Sequence, residues 1–138
     1  MTRIAVLDDR GALVDDFRDI FGIELPDAEF MSYERVNDAL DEISNGGEWD
    51  IWIVDLMIAR GRLTADETDD GLSTGLRVIE RLIKTNKVKC KIIAYTLRDV
   101  SHGDHFNNNT DILICPKKDY TVTDVVKIVK KLLVEDVR

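Results

Sequence analysis

The chain is poor in positive charge. Of its 138 residues, 19 are Lys or Arg against 27 Asp or Glu, a formal net charge of −8. That balance lacks the broad positive field that holds a polyphosphate backbone or an anionic bilayer, so neither nucleic acid nor a membrane is an expected partner. Long apolar runs are also missing. Nothing approaches the roughly 20 residues that span a bilayer, and the opening MTRIAVLDDR carries an apolar run too short for a secretory leader. Cysteine is scarce: Cys90 and Cys115 form no CxxC and sit beside or within apolar runs, the setting of small buried thiols. A reducing, cytoplasmic location is expected. Internal repeats, low-complexity tracts and linkers are absent, and 44% hydrophobic residues with 33% charged exclude a disordered tail. Residues 1–138 therefore read as one domain with one core.

What is present is an alternation of strand-length apolar runs with helix-period segments, the pattern of a parallel sheet wrapped by helices. Ile4–Leu7, Phe30–Tyr33, Ile51–Val54, Ile92–Tyr95 and Ile112–Cys115 are the expected strands. Their near-continuous hydrophobicity suits a sheet covered on both faces. Between them, Leu13, Val14, Phe17, Ile20 and Phe21 share one helical face, as do Val36, Ala39, Leu40 and Ile43, the latter ending at Gly46-Gly47. The same spacing recurs in Leu76, Ile79, Leu82 and Ile83 and in Val125, Val126, Val129, Leu132 and Leu133. A fourth helix before Ile112 is expected to be short or irregular, because SHGDHFNNNTD is rich in side chains that compete for backbone hydrogen bonds.

The connection 56–74 (LMIARGRLTADETDDGLST) is expected to be an extended loop, where about 2 to 6 residues are usual. It is either a tolerated insertion or a lid or partner-binding segment over the strand ends.

Asp8 and Asp9 follow the first strand and Asp55 the third. In a doubly wound sheet of order 2-1-3-4-5 the switch point lies between those two strands, at the carboxyl edge where such sheets bind ligands. Three carboxylates meeting there repel by on the order of several kcal/mol, so a counter-cation is required. Mg²⁺ is one candidate, a hard cation that takes carboxylates and phosphate oxygens. A lysine is the other, since the fifth strand ends in Cys115-Pro116-Lys117-Lys118, and the fourth ends in the hydroxyl of Thr96. Taken singly, each position has a plainer account: helix capping for the aspartates, a turn for Thr96, an exposed charge for the lysines.

With these residues in order, the chain resembles the receiver domain of two-component response regulators, the CheY-like superfamily. VLDD, the aspartate of IWIVDLM, the glycine of TGLRVIERL, the threonine of IIAYT and the lysine of ICPKK carry the resemblance over essentially the whole chain. It implies a (βα)5 flavodoxin-like α/β domain that takes a phosphoryl group on Asp55. It further implies Mg²⁺ held by Asp9, Asp55 and the Met57 carbonyl, with Asp8 acting mostly through water. Thr96 and Lys117 complete the catalytic set, with Lys118 the alternative lysine. The implied partners are a sensor histidine kinase or phosphotransfer protein and a downstream protein effector, with slow autodephosphorylation. An aspartyl nucleophile attacking phosphorus makes chemical sense, since catalysis is then mostly positioning and electrostatics.

Three positions depart from the family pattern: Ile58-Ala59 where a Met-Pro step is common, no aromatic in ILIC, and Leu97 after the threonine. These departures fit an alternative, a phosphorylation-independent pseudo-receiver that binds proteins. A Mg²⁺-dependent aspartyl phosphatase is disfavoured, because Met57 stands where its second acid is needed. His102 and His105 read as surface residues, Trp49 and Trp52 as core, and Lys127, Lys130 and Lys131 as the solvated face of the last helix.

Overall fold

A computed structural model describes residues 2–68, 70–71, 73–85, 90–97 and 111–136. Five strands, β1 (Arg3–Leu7), β2 (Glu29–Tyr33), β3 (Ile51–Val54), β4 (Lys91–Thr96) and β5 (Ile112–Pro116), form one parallel sheet in the order β2-β1-β3-β4-β5. Helices α1 (Gly11–Glu24), α2 (Val36–Ser44), α3 (Ala65–Thr68), α4 (Thr74–Thr85) and α5 (Val122–Asp136) accompany it. The doubly wound, flavodoxin-like α/β order expected from the sequence is the order observed.

Both faces of the sheet are dry along its central strands β1, β3 and β4, which explains their unbroken apolar runs. Ala5, Leu7, Trp52, Val54, Ile92 and Ala94 pack with α2 and α4. Their strand neighbours Ile4, Val6, Ile51, Ile53, Ile93 and Tyr95 face the other way, onto Val14, Phe17 and Phe21 of α1 and Val125, Val126 and Val129 of α5. Period-2 alternation thus sorts side chains between two cores rather than between core and solvent. Trp49 and Trp52 are core residues, and Tyr33 stacks on Trp52 with ring centroids 5.6 Å apart.

Two expectations need correction. Ile83 is 46% exposed, because the buried stripe of α4 is centred on Gly75, Val78, Ile79 and Leu82 and the next residue, about 100° further round, turns outward. The segment 56–74 is not continuous loop: Ala65–Thr68 form one helical turn. Thr64 and Glu67 cap it reciprocally, Thr64 N–H donating to Glu67 Oε1 (2.8 Å) and Glu67 N–H to Thr64 Oγ1 (3.1 Å). Ile58 and Leu63 are buried in the α2–α4 core, and the Arg62 N–H donates to Asn37 Oδ1 on α2 at 2.9 Å. The expected helix over 101–111 and both histidines, His102 and His105, lie outside the described residues apart from Asp111.

Candidate functional site

The register of β1 on β3 (Leu7 opposite Val54) brings the residues following both strands to one rim. The Asp55 N–H donates to Leu7 O at 2.9 Å and the Asp8 N–H to Tyr33 O at 3.1 Å, so the ladder continues one step and fixes both aspartates by their backbones. Carboxylate oxygens of Asp8, Asp9 and Asp55 all lie within 4.8 Å of one another. Asp8 and Asp55 are buried, at 2% and 5% exposure, while Asp9 is exposed.

Two anions that deep need compensation, and the chain supplies part of it. Lys117 Nζ stands 2.9 Å from Asp8 Oδ2 and 3.4 Å from Asp55 Oδ2, with its own side chain only 6% exposed. Its backbone is tied in as well, the Lys117 N–H donating to Thr96 O at 2.8 Å. Lys118 is exposed, and the ammonium against the carboxylates is that of Lys117. Asp55 Oδ1 accepts from the buried Thr96 hydroxyl at 2.9 Å and from the Met57 N–H at 3.1 Å. Asp8 Oδ1 accepts from the Arg10 N–H at 2.9 Å. Burial pushes the Asp55 carboxyl above its ordinary pKa; Lys117 opposes that rise, Asp8 adds to it, and the Met57 and Thr96 donors lower it again.

The cluster opens on a cleft of about 270 Å³ lined by Asp9, Arg10, Asp55, Met57, Leu97 and Lys117. The donor set fits a small hard dication. It has three carboxylates from two strand ends, and with one ammonium among them the cluster keeps a net charge of −2.

Sequence reasoning brought five of these residues to one rim and singled out Gly75 without a structural role, but missed Tyr95 and Arg10. Gly75 opens α4 so close to β3 that a Cβ there would lie 2.3 Å from Asp55 O and 2.5 Å from Leu56 Cα; its N–H donates to Leu56 O at 3.0 Å. Tyr95 lies beneath Lys117, with Nζ 5.5 Å from its ring, and its hydroxyl donates to Tyr120 O at 2.7 Å. Arg10 lines the cleft. Gly75 was legible as the glycine of TGLRVIERL, whereas neither Tyr95 nor Arg10 left a sequence signal of its place at the site.

No protein-family model matches the chain, and no curated protein matches it in sequence. Solved structures do. The response regulator TrrA of Thermotoga maritima, in complex with Mg²⁺-BeF, is 22% identical, with a TM-score of 0.61 over 96% of this chain and 99% of that one. A CheY-like receiver domain protein of Methanospirillum hungatei is 19% identical, with a TM-score of 0.67 over 98% and 95%. A Burkholderia pseudomallei response regulator with a phosphorylated aspartic acid and a calcium ion is 18% identical, at a TM-score of 0.59 over 91% of this chain and 65% of that one. The chain has the receiver-domain fold of response regulators.

Proposed function

We propose that the chain is a phosphoacceptor receiver of a two-component system, with Asp55 as the nucleophile. The observation that carries this reading is the unequal fixing of the Asp55 carboxylate. Oδ1 is pinned by Thr96 and Met57, whereas Oδ2 has one long contact, to Lys117, and borders the cleft. Oδ2 is then the oxygen with a lone pair to offer. It forms a bond to phosphorus as the bond from phosphorus to the donor breaks, nitrogen in a phosphohistidine or oxygen in an acyl phosphate. The electron pair leaves with the donor. Lys117, already at both carboxylates, is placed to reach a phosphoryl oxygen on Asp55 with a small displacement. Thr96 would follow the charge that appears on Asp55.

Asp8, Asp9, Asp55 and the Met57 carbonyl would hold Mg²⁺, which when bound offsets negative charge on the phosphoryl oxygens. The partners in this reading are a sensor histidine kinase or phosphotransfer protein upstream and a protein effector downstream, in the cytoplasm. No described helix is long and apolar enough to cross a membrane.

Incubation with Mg²⁺ and acetyl phosphate should add one phosphoryl group, seen by intact mass, and Asp55→Asn should abolish the adduct. A chain that stays unmodified by acetyl phosphate, phosphoramidate and a phosphohistidine protein would instead be the phosphorylation-independent binding module.

A further inference from the structure

The charges of the cleft do not balance once a donor arrives. Asp8, Asp9 and Asp55 contribute −3, Lys117 returns +1, and a divalent cation brings the cluster to zero. An incoming phosphoryl dianion therefore meets a neutral cluster inside a chain whose net charge is −8. The charge of Lys117 is already spent in that sum, with Asp8 Oδ2 at 2.9 Å. Among the described residues the other cation lining the cleft is Arg10.

Its position is built. The Arg10 N–H is held by Asp8 Oδ1 at 2.9 Å, and its carbonyl accepts the Val14 N–H at 3.1 Å as α1 begins. Arg10 is thus the N-cap residue of α1, where a side chain that caps would normally stand, yet it makes no capping hydrogen bond. The first turn of α1 carries no acidic residue to take up the guanidinium. Among the described residues no salt bridge engages Arg10, nor Arg35, Arg60 or Arg81, but of these only Arg10 lines the cleft.

From this we infer that Arg10 recognises the phosphoryl donor, a positioning residue at the cleft mouth that selects dianionic phosphates before transfer to Asp55. The inference rests on the reading of Asp55 as phosphoacceptor. An exposed guanidinium acts through attraction that salt screens, so its signature is a rate dependent on ionic strength and on donor charge.

The test compares wild type, Arg10→Gln and Arg10→Lys with Mg²⁺ and two small donors: acetyl phosphate, and phosphoramidate, which carries one negative charge less. Labelling of Asp55 is followed by intact mass at low and high salt. Arg10→Gln is expected to slow labelling by acetyl phosphate about three- to tenfold at low salt, with the gap closing at high salt. Phosphoramidate should be affected less, and Arg10→Lys should recover most of the loss. Apparent affinity for beryllofluoride with Mg²⁺, read from tryptophan fluorescence, should leave wild type ahead of Arg10→Gln without any turnover. Equal rates for wild type and Arg10→Gln with both donors would overturn the role of Arg10 and leave the Asp55 reading intact. So would a deficit that ignores salt and donor charge, which would mark Arg10 as merely structural. A wild-type chain that takes no phosphoryl group from either donor would overturn both.

Discussion

Replacing Lys117 by methionine keeps an unbranched side chain one atom shorter and deletes the cation between two buried carboxylates. At an effective dielectric of 20, the 2.9 Å contact to Asp8 corresponds to about 6 kcal/mol of attraction and the 3.4 Å contact to Asp55 to about 5. Desolvating the ammonium and both carboxylates offsets most of this in the intact protein. Breaking a buried pair from one side is nevertheless costly, because the partner charge stays behind; about 3 to 5 kcal/mol is the usual loss. Protonation of Asp55 caps the damage, since a carboxyl already raised by burial, and now without Lys117, takes up a proton more readily.

The sign of the pH dependence follows. Above the ordinary carboxylate range the unfolded chain has released a proton that folded Lys117→Met retains on Asp55, so stability falls as pH rises until the folded group also ionises. In chelator, urea unfolding of Lys117→Met should show a deficit of about 3 to 5 kcal/mol at pH near 8, roughly 10 to 15 °C in Tm, shrinking toward pH near 5. Millimolar Mg²⁺ should return part of it, because once Asp55 is ionised the cluster carries −3 instead of −2 and the dication displaces the proton. A deficit below about 1 kcal/mol, or one that grows on acidification, would refute the claim that Lys117 neutralises a buried pair.

Three further outcomes are expected. Gly75→Ala should cost about 3 kcal/mol or more in urea unfolding, because its Cβ would meet backbone atoms of Asp55 and Leu56 that have no room to give; a loss under about 1 kcal/mol would show that α4 and β3 are not so close. Leu63→Ala should cost about 2 to 3 kcal/mol, whereas Arg62→Ala, which removes only the half-exposed pair with Asp41, should cost under about 1; the reverse ranking would mean that the 56–74 segment is held by charge rather than by burial. Tyr33, pushed up to about 12 chiefly by burial and next by Glu42, stays neutral in the folded state at pH values where the unfolded chain ionises it. Stability should therefore fall as pH rises from about 10 to about 12, and tyrosinate titration of Tyr33→Phe should lack that component. Because the buried Tyr33 hydroxyl has no partner among the described residues, Tyr33→Phe should be neutral or stabilising at pH near 7, and a loss above about 1 kcal/mol there would contradict this.

The sheet was legible because its central strands are buried on both faces. Runs such as IWIV and IIAY cannot be surface segments, and once their order is fixed by parallel crossovers, the residues after β1, β3, β4 and β5 must share a rim. The placement of Asp8, Asp9, Asp55, Thr96 and Lys117 needed only chain order and that topology. Lys117 and Lys118 were not separable by spacing. What separates them is the hydrogen bond from the Lys117 N–H to Thr96 O, which continues the β4–β5 ladder one residue and turns that side chain inward. The helical turn at Ala65–Thr68 was written in T-A-D-E, a capping-box spacing hidden inside a segment that read as loop by its length.

Tyr95 was beyond reach for a different reason. As a strand residue it looked like core, and it is core, 3% exposed against Phe17; its place beside Lys117 comes from the turn at 117–119, which no periodicity encodes. β5 carries no aromatic ring, as ILIC shows, but a ring does lie next to the site, on β4 and on the α1–α5 side of the sheet. A displacement of Lys117 toward a phosphoryl group would change the contact on that ring, whose hydroxyl is tied to Tyr120 just ahead of α5. Lys117, the Tyr95 ring and the Tyr120 carbonyl thus form a contiguous path from the site to the start of α5.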